Sequence, residues 1–364
     1  MVKTFITPER NAAEQAFKSR RGLPLIASCR SGKDIAKKIA SAYNRLLKET
    51  GSELAIADLH DVDFQFSFDK ETCARIKTHV SGYDVYLVQC LYDPTSPRSI
   101  DENLMGLLTT ISAFKENGAN HITVIMPYHA YGRQDKPSEF ERESTTAALM
   151  AKFIISGGTD RVITYHAHAL QIRGFYPGIA TNFIRPDCVV AEEFSFLAGS
   201  QEVIVIGPDE GSVDEAAKAA KVLNLSYGHG DKDRINEEEV NIREIVGDFR
   251  GKTTALIVDD IISSAGTLYK LILLLLEKGI KTFYIYMSHC LCSEKAKERL
   301  LELKSQGVDI KLLITTNSIP QAESWHAELG FTKIICLSEI LARVINRVHF
   351  DTSASELFPK PKSK

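Results

Sequence analysis

Long apolar runs are missing from this chain of 364 residues: the longest, Leu271 to Leu276, has six, against the roughly 20 needed to cross a bilayer. A membrane span is therefore not expected. A dominant charge is missing too, since 44 lysines and arginines face 47 aspartates and glutamates for a formal net charge of −3. No global basic field exists to hold nucleic acid or an anionic membrane, so any bound anion must be gripped locally. The seven cysteines include no CxxC pair, and an odd, scattered set fits buried thiols in a reducing compartment better than disulfides or a zinc site. A secretory apolar core is also lacking near the start, where Glu9, Glu14, Lys18, Arg20 and Arg21 break up the sequence; a cytoplasmic location is expected. What is present is ordinary globular composition, 44% hydrophobic and 25% charged, at a length suited to two domains.

Short β-forming apolar runs alternate with amphipathic stretches of helical length, the pattern of a parallel sheet with crossover helices. Strands are expected at 23–28, 84–90, 121–126, 161–165, 202–206, 253–258, 282–287 and 310–315, and helices at 34–49, 100–117, 144–156, 213–223, 267–278 and 293–306. So many strands exceed one small doubly wound unit, and two tandem α/β domains are inferred. The polar ends of the chain predict little packing there.

The most informative segment is Thr253 to Leu268, where an apolar strand runs into Asp259 and Asp260 and a loop of small residues opens a helix. Ligands of open α/β sheets bind at such carboxyl ends of strands. Small side chains at Ser263, Ser264, Ala265, Gly266 and Thr267 let backbone N–H groups approach a phosphate, and the helix start adds its positive dipole end. Two carboxylates beside that cradle suit ribose hydroxyls or Mg2+. An ordinary loop with solvated acids is the plainer alternative, which the added Gly266–Thr267 spacing disfavours. Elsewhere, Arg133 offers an always-charged fork for phosphate oxygens, with Gln134 and Asp135 able to bond a base or ribose. His168 and Asp209, at strand ends, can offer a nitrogen and an oxygen to a metal or phosphate. The stretch 228–240, rich in glycine and charge, reads as a mobile loop carrying Lys232 and Arg234.

Segment 253–268 resembles the phosphoribosyl-diphosphate loop of phosphoribosyltransferase-like folds, in the spacing used by ribose-phosphate diphosphokinases (PRPP synthetases). Further segments are similar to that family's motifs, in the same order from about residue 22 to 350: Phe66 to Cys73, Asp101 to Leu108, Tyr131 to Lys136, His168 to Tyr176, Gly207 to Gly211 and Asn317 to Gln321. The resemblance implies two tandem type I phosphoribosyltransferase-like domains, each a mainly parallel sheet flanked by helices. Their bounds are expected at 22–184 and 185–350, with an extension at 1–21 and a tail at 351–364. It implies a transferase of nucleotide biosynthesis that moves the β,γ-diphosphoryl group of Mg-ATP to the C1 hydroxyl of ribose 5-phosphate, yielding PRPP and AMP.

Residue by residue, the resemblance makes Lys232 and Arg234 the cations over the transferring group. It assigns Arg133, Gln134, Asp135 and His168 to ATP, His168 and Asp209 to the metal, and Asp259, Asp260 and Ser263 to Thr267 to ribose 5-phosphate. The segment 66–73 looks like a loop that reaches into a neighbouring subunit's ATP site, so Asp69, Glu71 and either Phe66 or Phe68 are expected to serve a homo-oligomer. Four departures stand out. Ser263 replaces a third Asp, and His166 replaces an Asp. Glu139 and Glu141 occupy a stretch that is basic in many members, though Arg142 is retained, and Ser81 replaces an Arg. The last two weaken the family's regulatory phosphate and ADP site. Ser263 and His166 motivate a second reading, a non-catalytic or weakly active regulatory homologue. A phosphoribosyltransferase is less favoured, because no base-recognition hood is found.

Overall fold

The computed structural model describes residues 19–138, 141–234 and 240–357, apart from the side chains of 232–234 and 240–243. The chain divides into two compact units, with the break between Ile184 and Arg185.

The first unit contains β1 (Pro24–Ser28), α1 (Lys33–Glu49), β2 (Ala57–Leu59), β3 (Asp63–Gln65), β4 (Thr72–Ala74), β5 (Asp84–Val88), α2 (Ile100–Glu116), β6 (His121–Met126), α3 (Thr146–Ser156), β7 (Arg161–Tyr165) and β8 (Ala180–Ile184). Six strands form one sheet in the order β2-β1-β5-β6-β7-β8, every neighbouring pair parallel. A sheet covered on both faces needs strands that are apolar on both, and Val85 to Val88 and Ile122 to Met126 are fully buried. Leu107, Ile111 and Phe114 of α2 and Ile154 of α3 pack into this core. A capping box starts α2: the Ser99 hydroxyl accepts from the Glu102 N–H, and the Glu102 carboxylate accepts from the Ser99 N–H. Separate from the sheet, β3 and β4 form an antiparallel hairpin.

The second unit contains α4 (Asp187–Glu193), β9 (Val203–Gly207), α5 (Val213–Leu223), β10 (Ser226–Arg234), β11 (Val240–Val246), β12 (Thr254–Ile262), α6 (Gly266–Glu277), β13 (Thr282–Cys290), α7 (Glu294–Ser305), β14 (Asp309–Thr316), α8 (Glu323–Leu329) and β15 (Thr332–Ile335). Its seven strands run β11-β10-β9-β12-β13-β14-β15, with only β11 antiparallel to its neighbour. Ile206, Ile257, Ile285, Leu271, Leu275 and Trp325 lie in its core. No helix among the described residues is long and apolar enough to cross a membrane.

Two expectations need correcting. Lys232 and Arg234 were expected on a loop, yet β10 carries the backbone through Arg234, paired to β11 after a bulge between Asp231 and Lys232. Its alternation is hidden in the sequence because glycine and charged residues fill an edge hairpin. The second domain was expected to run unbroken to residue 350, whereas Ser318–Pro320 and the described residues from Cys336 on, including the last helix, α9 (Ser338–His349), belong to the first unit. That helix packs along α1, where Asn346 Nδ2 donates to Tyr43 OH at 3.3 Å and Arg45 pairs with Glu339 at 2.6 Å.

His349, the last residue of α9, reaches the fully buried Asp84 at the start of β5. Its Nδ1 lies 2.7 Å from one carboxylate oxygen, Tyr86 OH donates to that oxygen at 2.8 Å, and His121 Nδ1 sits 3.2 Å from the other oxygen. Burial pushes the Asp84 carboxyl upward, but the combined bonds from His121, His349 and Tyr86 outweigh it and hold the group below its ordinary 3.8. A carboxyl lowered in the folded state stabilises above its unfolded value, and that contribution is lost as pH falls through the folded one. His349→Ala should therefore cost about 2 kcal/mol at pH 7, with the difference from wild type narrowing below pH 3.8. Urea unfolding across pH checks this; equal stabilities at pH 7 would mean that the His349–Asp84 contact does not stabilise the fold.

Candidate active site

In the second unit, the buried run Ala255 to Val258 of β12 ends at Asp259 and Asp260, at the carboxyl edge of the sheet. The Asp260 N–H donates to Asp259 Oδ1 at 3.0 Å. Asp209 follows β9 and opens a short turn, where its Oδ1 accepts from the Ser212 N–H at 3.0 Å and its own N–H donates to Ser212 Oγ at 3.0 Å. These elements converge on Asp259. Burial, then the negative charges of Asp260, Asp209 and Glu215, push its carboxyl well above the ordinary carboxylate range. Asp259 keeps some exposed surface while Asp260 is 7% exposed.

Past β12 the chain reverses through Ser263, Ser264 and Ala265. Ala265 takes a left-handed conformation with φ of 56°, and α6 begins at Gly266. Two side chains from the segment after β13 hold the turn. Ser293 Oγ donates to the Ser263 carbonyl at 2.5 Å, and Arg299 Nη1 donates to the Ser264 carbonyl at 2.7 Å. With those carbonyls occupied, the loop offers its N–H groups and the first turn of α6 to an anion. Gly266 permits this arrangement, because a Cβ there would sit 2.9 Å from Arg299 Nη1. Ser293 and Arg299 were not singled out in the sequence; they lie some thirty residues from the loop they hold, and no local spacing marks them.

In the first unit, β6 leads into a turn where Tyr131 is left-handed, with φ of 59°. Arg133 and Gln134 are exposed on it, while Asp135 is buried and accepts from Gln171 Nε2. His168, exposed after β7, is brought to the same turn: a Cβ on Gly132 would lie 3.5 Å from His168 Cβ. Tyr131 OH donates to Asp101 at the start of α2. Asn103, fully buried, accepts from Ser31 Oγ and donates to the Leu91 carbonyl, tying α2 to the loops before it. His166 is buried and left-handed, its N–H donating to the Ile184 carbonyl at 2.8 Å and its ring edge-on to Tyr165.

The β3–β4 hairpin carries the remaining expected residues. Its tip is closed by the Phe66 N–H bonded to the Glu71 carbonyl at 3.0 Å, and Asp69 Oδ1 accepts from the Glu71 N–H at 3.0 Å. Phe66 packs edge-on to Phe64, whereas Phe68 is 100% exposed. Gln65 Nε2 donates to Glu102 on α2 at 3.0 Å, anchoring the hairpin to the helix that also meets Tyr131. The backbones of Lys232 and Arg234 lie on β10 and their side chains fall outside the described residues, as does Glu139. Ser81 and Glu141 are exposed. Cation donors are available as the Asp209 and Asp259 carboxylates in one unit and the His168 imidazole in the other; among the described residues no three His, Cys, Asp or Glu side chains gather into a metal cage.

Comparison with known proteins places these features in context. Residues 25–158 match the family described as the N-terminal domain of ribose phosphate pyrophosphokinase, and residues 203–359 match the phosphoribosyl synthetase-associated domain. The ribose-phosphate pyrophosphokinase of Clostridium perfringens is 33% identical over 292 residues, covering 80% of this chain and 87% of its own. That of Aquifex aeolicus is 32% identical over 322 residues, covering 88% and 98%. The crystal structure of phosphoribosylpyrophosphate synthetase from Mycobacterium smegmatis superposes with a TM-score of 0.76 at 26% identity, covering 90% of this chain and 99% of that one.

If charge crowding raises the Asp259 carboxyl, Asp260→Asn should lower it, because one neighbouring negative charge is removed while burial stays. Carboxyl-carbon NMR titration of both proteins measures the shift. An unchanged Asp259 titration would mean that Asp260 contributes nothing to the shift, against the crowding described here.

Proposed function

The chain belongs to the ribose-phosphate pyrophosphokinase family, and from that premise we propose that it transfers the β,γ-diphosphoryl group of Mg-ATP to the C1 hydroxyl of ribose 5-phosphate. Its two α/β units are phosphoribosyltransferase-like. The observation that carries this reading is the pairing of Asp259 and Asp260 with a small-residue loop whose carbonyls are tied back by Ser293 and Arg299. In it, the two carboxylates accept from ribose hydroxyls, and the N–H groups from Ser263 to Thr267 hold the 5-phosphate. Sugar hydroxyls donating to Asp259 would relieve the repulsion that raises it, which couples substrate binding to the ionised form.

The C1 oxygen attacks the β-phosphorus in line, the bond from that phosphorus to the oxygen bridging to the α-phosphorus breaks, and AMP leaves with the bridging oxygen. The hydroxyl proton goes to solvent. Such a transition state asks the protein mainly for position and positive charge, roles we give to Lys232 and Arg234. Arg133, Gln134, Asp135 and His168 take the nucleotide; His168 and Asp209 are the residues that would hold Mg2+, which would offset negative charge on the triphosphate.

Phe66, Phe68, Asp69 and Glu71 complete the site of a neighbouring subunit in a homo-oligomer. Two observations support that part: the Phe68 ring lies wholly in solvent, and Met105, Leu149 and Phe153 leave apolar surface exposed on α2 and α3. The chemistry and substrates fit a cytoplasmic enzyme. The regulatory-homologue reading is favoured by Ser263, which cannot supply the charge of a carboxylate, and by the buried imidazole of His166.

Full-length protein with Mg2+, ATP and ribose 5-phosphate should form AMP only when the sugar is present. Lys232→Ala and Arg234→Ala should each lower kcat about a hundredfold, on the order of 3 kcal/mol, with little effect on ATP binding. Absence of sugar-dependent AMP would decide for the regulatory homologue; variants within threefold of wild type, roughly the scatter of such constants, would remove both cations from the mechanism.

A further inference from the structure

We propose that Cys290 and Cys292 form a redox modification site, a dithiol that a hydroperoxide closes to a disulfide, set directly against the loop 263–267. The two cysteines lie two residues apart at the end of β13, and in extended chain such residues share a face. Cys292 then adopts a left-handed conformation, φ 51°, which glycine favours and other residues adopt at a cost. That turn folds the chain back so that the two Sγ atoms are 3.4 Å apart and the Cys292 N–H meets Cys290 Sγ at 3.3 Å. Both residues are free thiols, Cys290 fully buried and Cys292 9% exposed.

The surroundings make the two sulfurs unequal. Gln321 Oε1 lies 3.3 Å from Cys292 Sγ, and His326 Nε2 lies 3.9 Å from the same sulfur and 2.8 Å from that oxygen. Thr332 Oγ1, 3.0 Å from Nδ1, fixes the other side of the imidazole. The hydrogen bond with Cys290, opposed by burial and helped by His326, holds the Cys292 thiol below its ordinary range, and the same contact with burial pushes Cys290 up. Cys292, the more exposed of the two and the one with the His326 imidazole beside its sulfur, is the nucleophile, and the fully buried Cys290 the resolving thiol.

The chemistry closes without another reductant or oxidant. The Cys292 sulfur attacks the hydroperoxide, an S–O bond forms, the O–O bond breaks, and the alcohol or water leaves with a proton, giving a sulfenic acid. The Cys290 sulfur attacks the Cys292 sulfur, the S–S bond forms, the S–O bond breaks, and hydroxide leaves with the Cys290 proton as water. Two thiols have lost two electrons and the peroxide has gained them.

Closure must bring the sulfurs from 3.4 Å to about 2.0 Å, and the intervening residues are tied to the loop. The Leu291 N–H donates to the Ile262 carbonyl at 3.0 Å, and Ser293, next after Cys292, grips the Ser263 carbonyl while Trp325 Nε1 holds the Ser293 carbonyl at 2.9 Å. Oxidation should therefore disturb the loop; this consequence, unlike the disulfide, rests on the ribose 5-phosphate reading above.

The test treats the full chain with stoichiometric hydrogen peroxide and maps the products by mass spectrometry. The expected result is loss of two hydrogens on the peptide containing Cys290 and Cys292, reversed by dithiothreitol. Cys290→Ala should leave a sulfenic acid on Cys292 that dimedone traps, and Cys292→Ser should suppress the fast reaction. Oxidation that falls instead on Cys336, or no disulfide at 290–292, would overturn the site. In the oxidised enzyme KM for ribose 5-phosphate should rise at least fivefold, with no rise in Cys290→Ala. A formed disulfide with unchanged KM would overturn the coupling to the loop. Reduced protein without activity would sink the function reading, while the mass result would still decide the dithiol.

Discussion

Like-charge crowding at the carboxyl end of β12 is the constraint on which the account turns. Asp259 shares that strand end with Asp260, Asp209 and Glu215, and its ionised form is disfavoured by burial and by all three. A sheet edge that crowds carboxylates in this way is stable only because the rest of the unit is firmly packed, with β12 buried between β9 and β13. Hydroxyl donors or a cation at this corner would offset the repulsion.

The loop beside the carboxylates is rigid for reasons outside itself. Small residues allow close approach by a ligand but supply little side-chain packing beyond Ala265, and the loop borrows order from Ser293 and Arg299 at the start and middle of α7. The first unit follows the same logic. Its Arg133 turn is held by a buried Asp135 and by the bond from Tyr131 to α2, which leaves the cationic and amide groups exposed on a fixed backbone. In both units the groups offered to solvent are positioned by hydrogen bonds with residues outside the turn itself.

The sheet interiors and the small-residue turn after Asp260 were legible in the sequence because their residues are consecutive and follow a strong rule. The strands expected at 202–206 and 253–258 read from their apolar runs, and the turn from its small residues after two acids; β12 nevertheless continues past Val258 through Asp259 and Asp260 to Ile262. The edge strands were not: Thr332–Ile335 has four residues, and the outer half of β10 is glycine and charge. The helix α9 shows an apolar face, but nothing local reveals that it packs on α1 in the first unit, since that depends on Asp84 and Tyr43 some 265 and 303 residues away. Ser293 and Arg299 stayed hidden for the same reason: their meaning lies in which strand ends are neighbours, a property of topology.

The central claim is that two phosphoryl units move together. Phosphorus NMR of the reaction with ATP and ribose 5-phosphate tests it directly: the account predicts loss of the three ATP resonances and growth of an AMP signal beside two mutually coupled diphosphate resonances on the sugar. Growth of ADP with a second monophosphate ester on the sugar would contradict it.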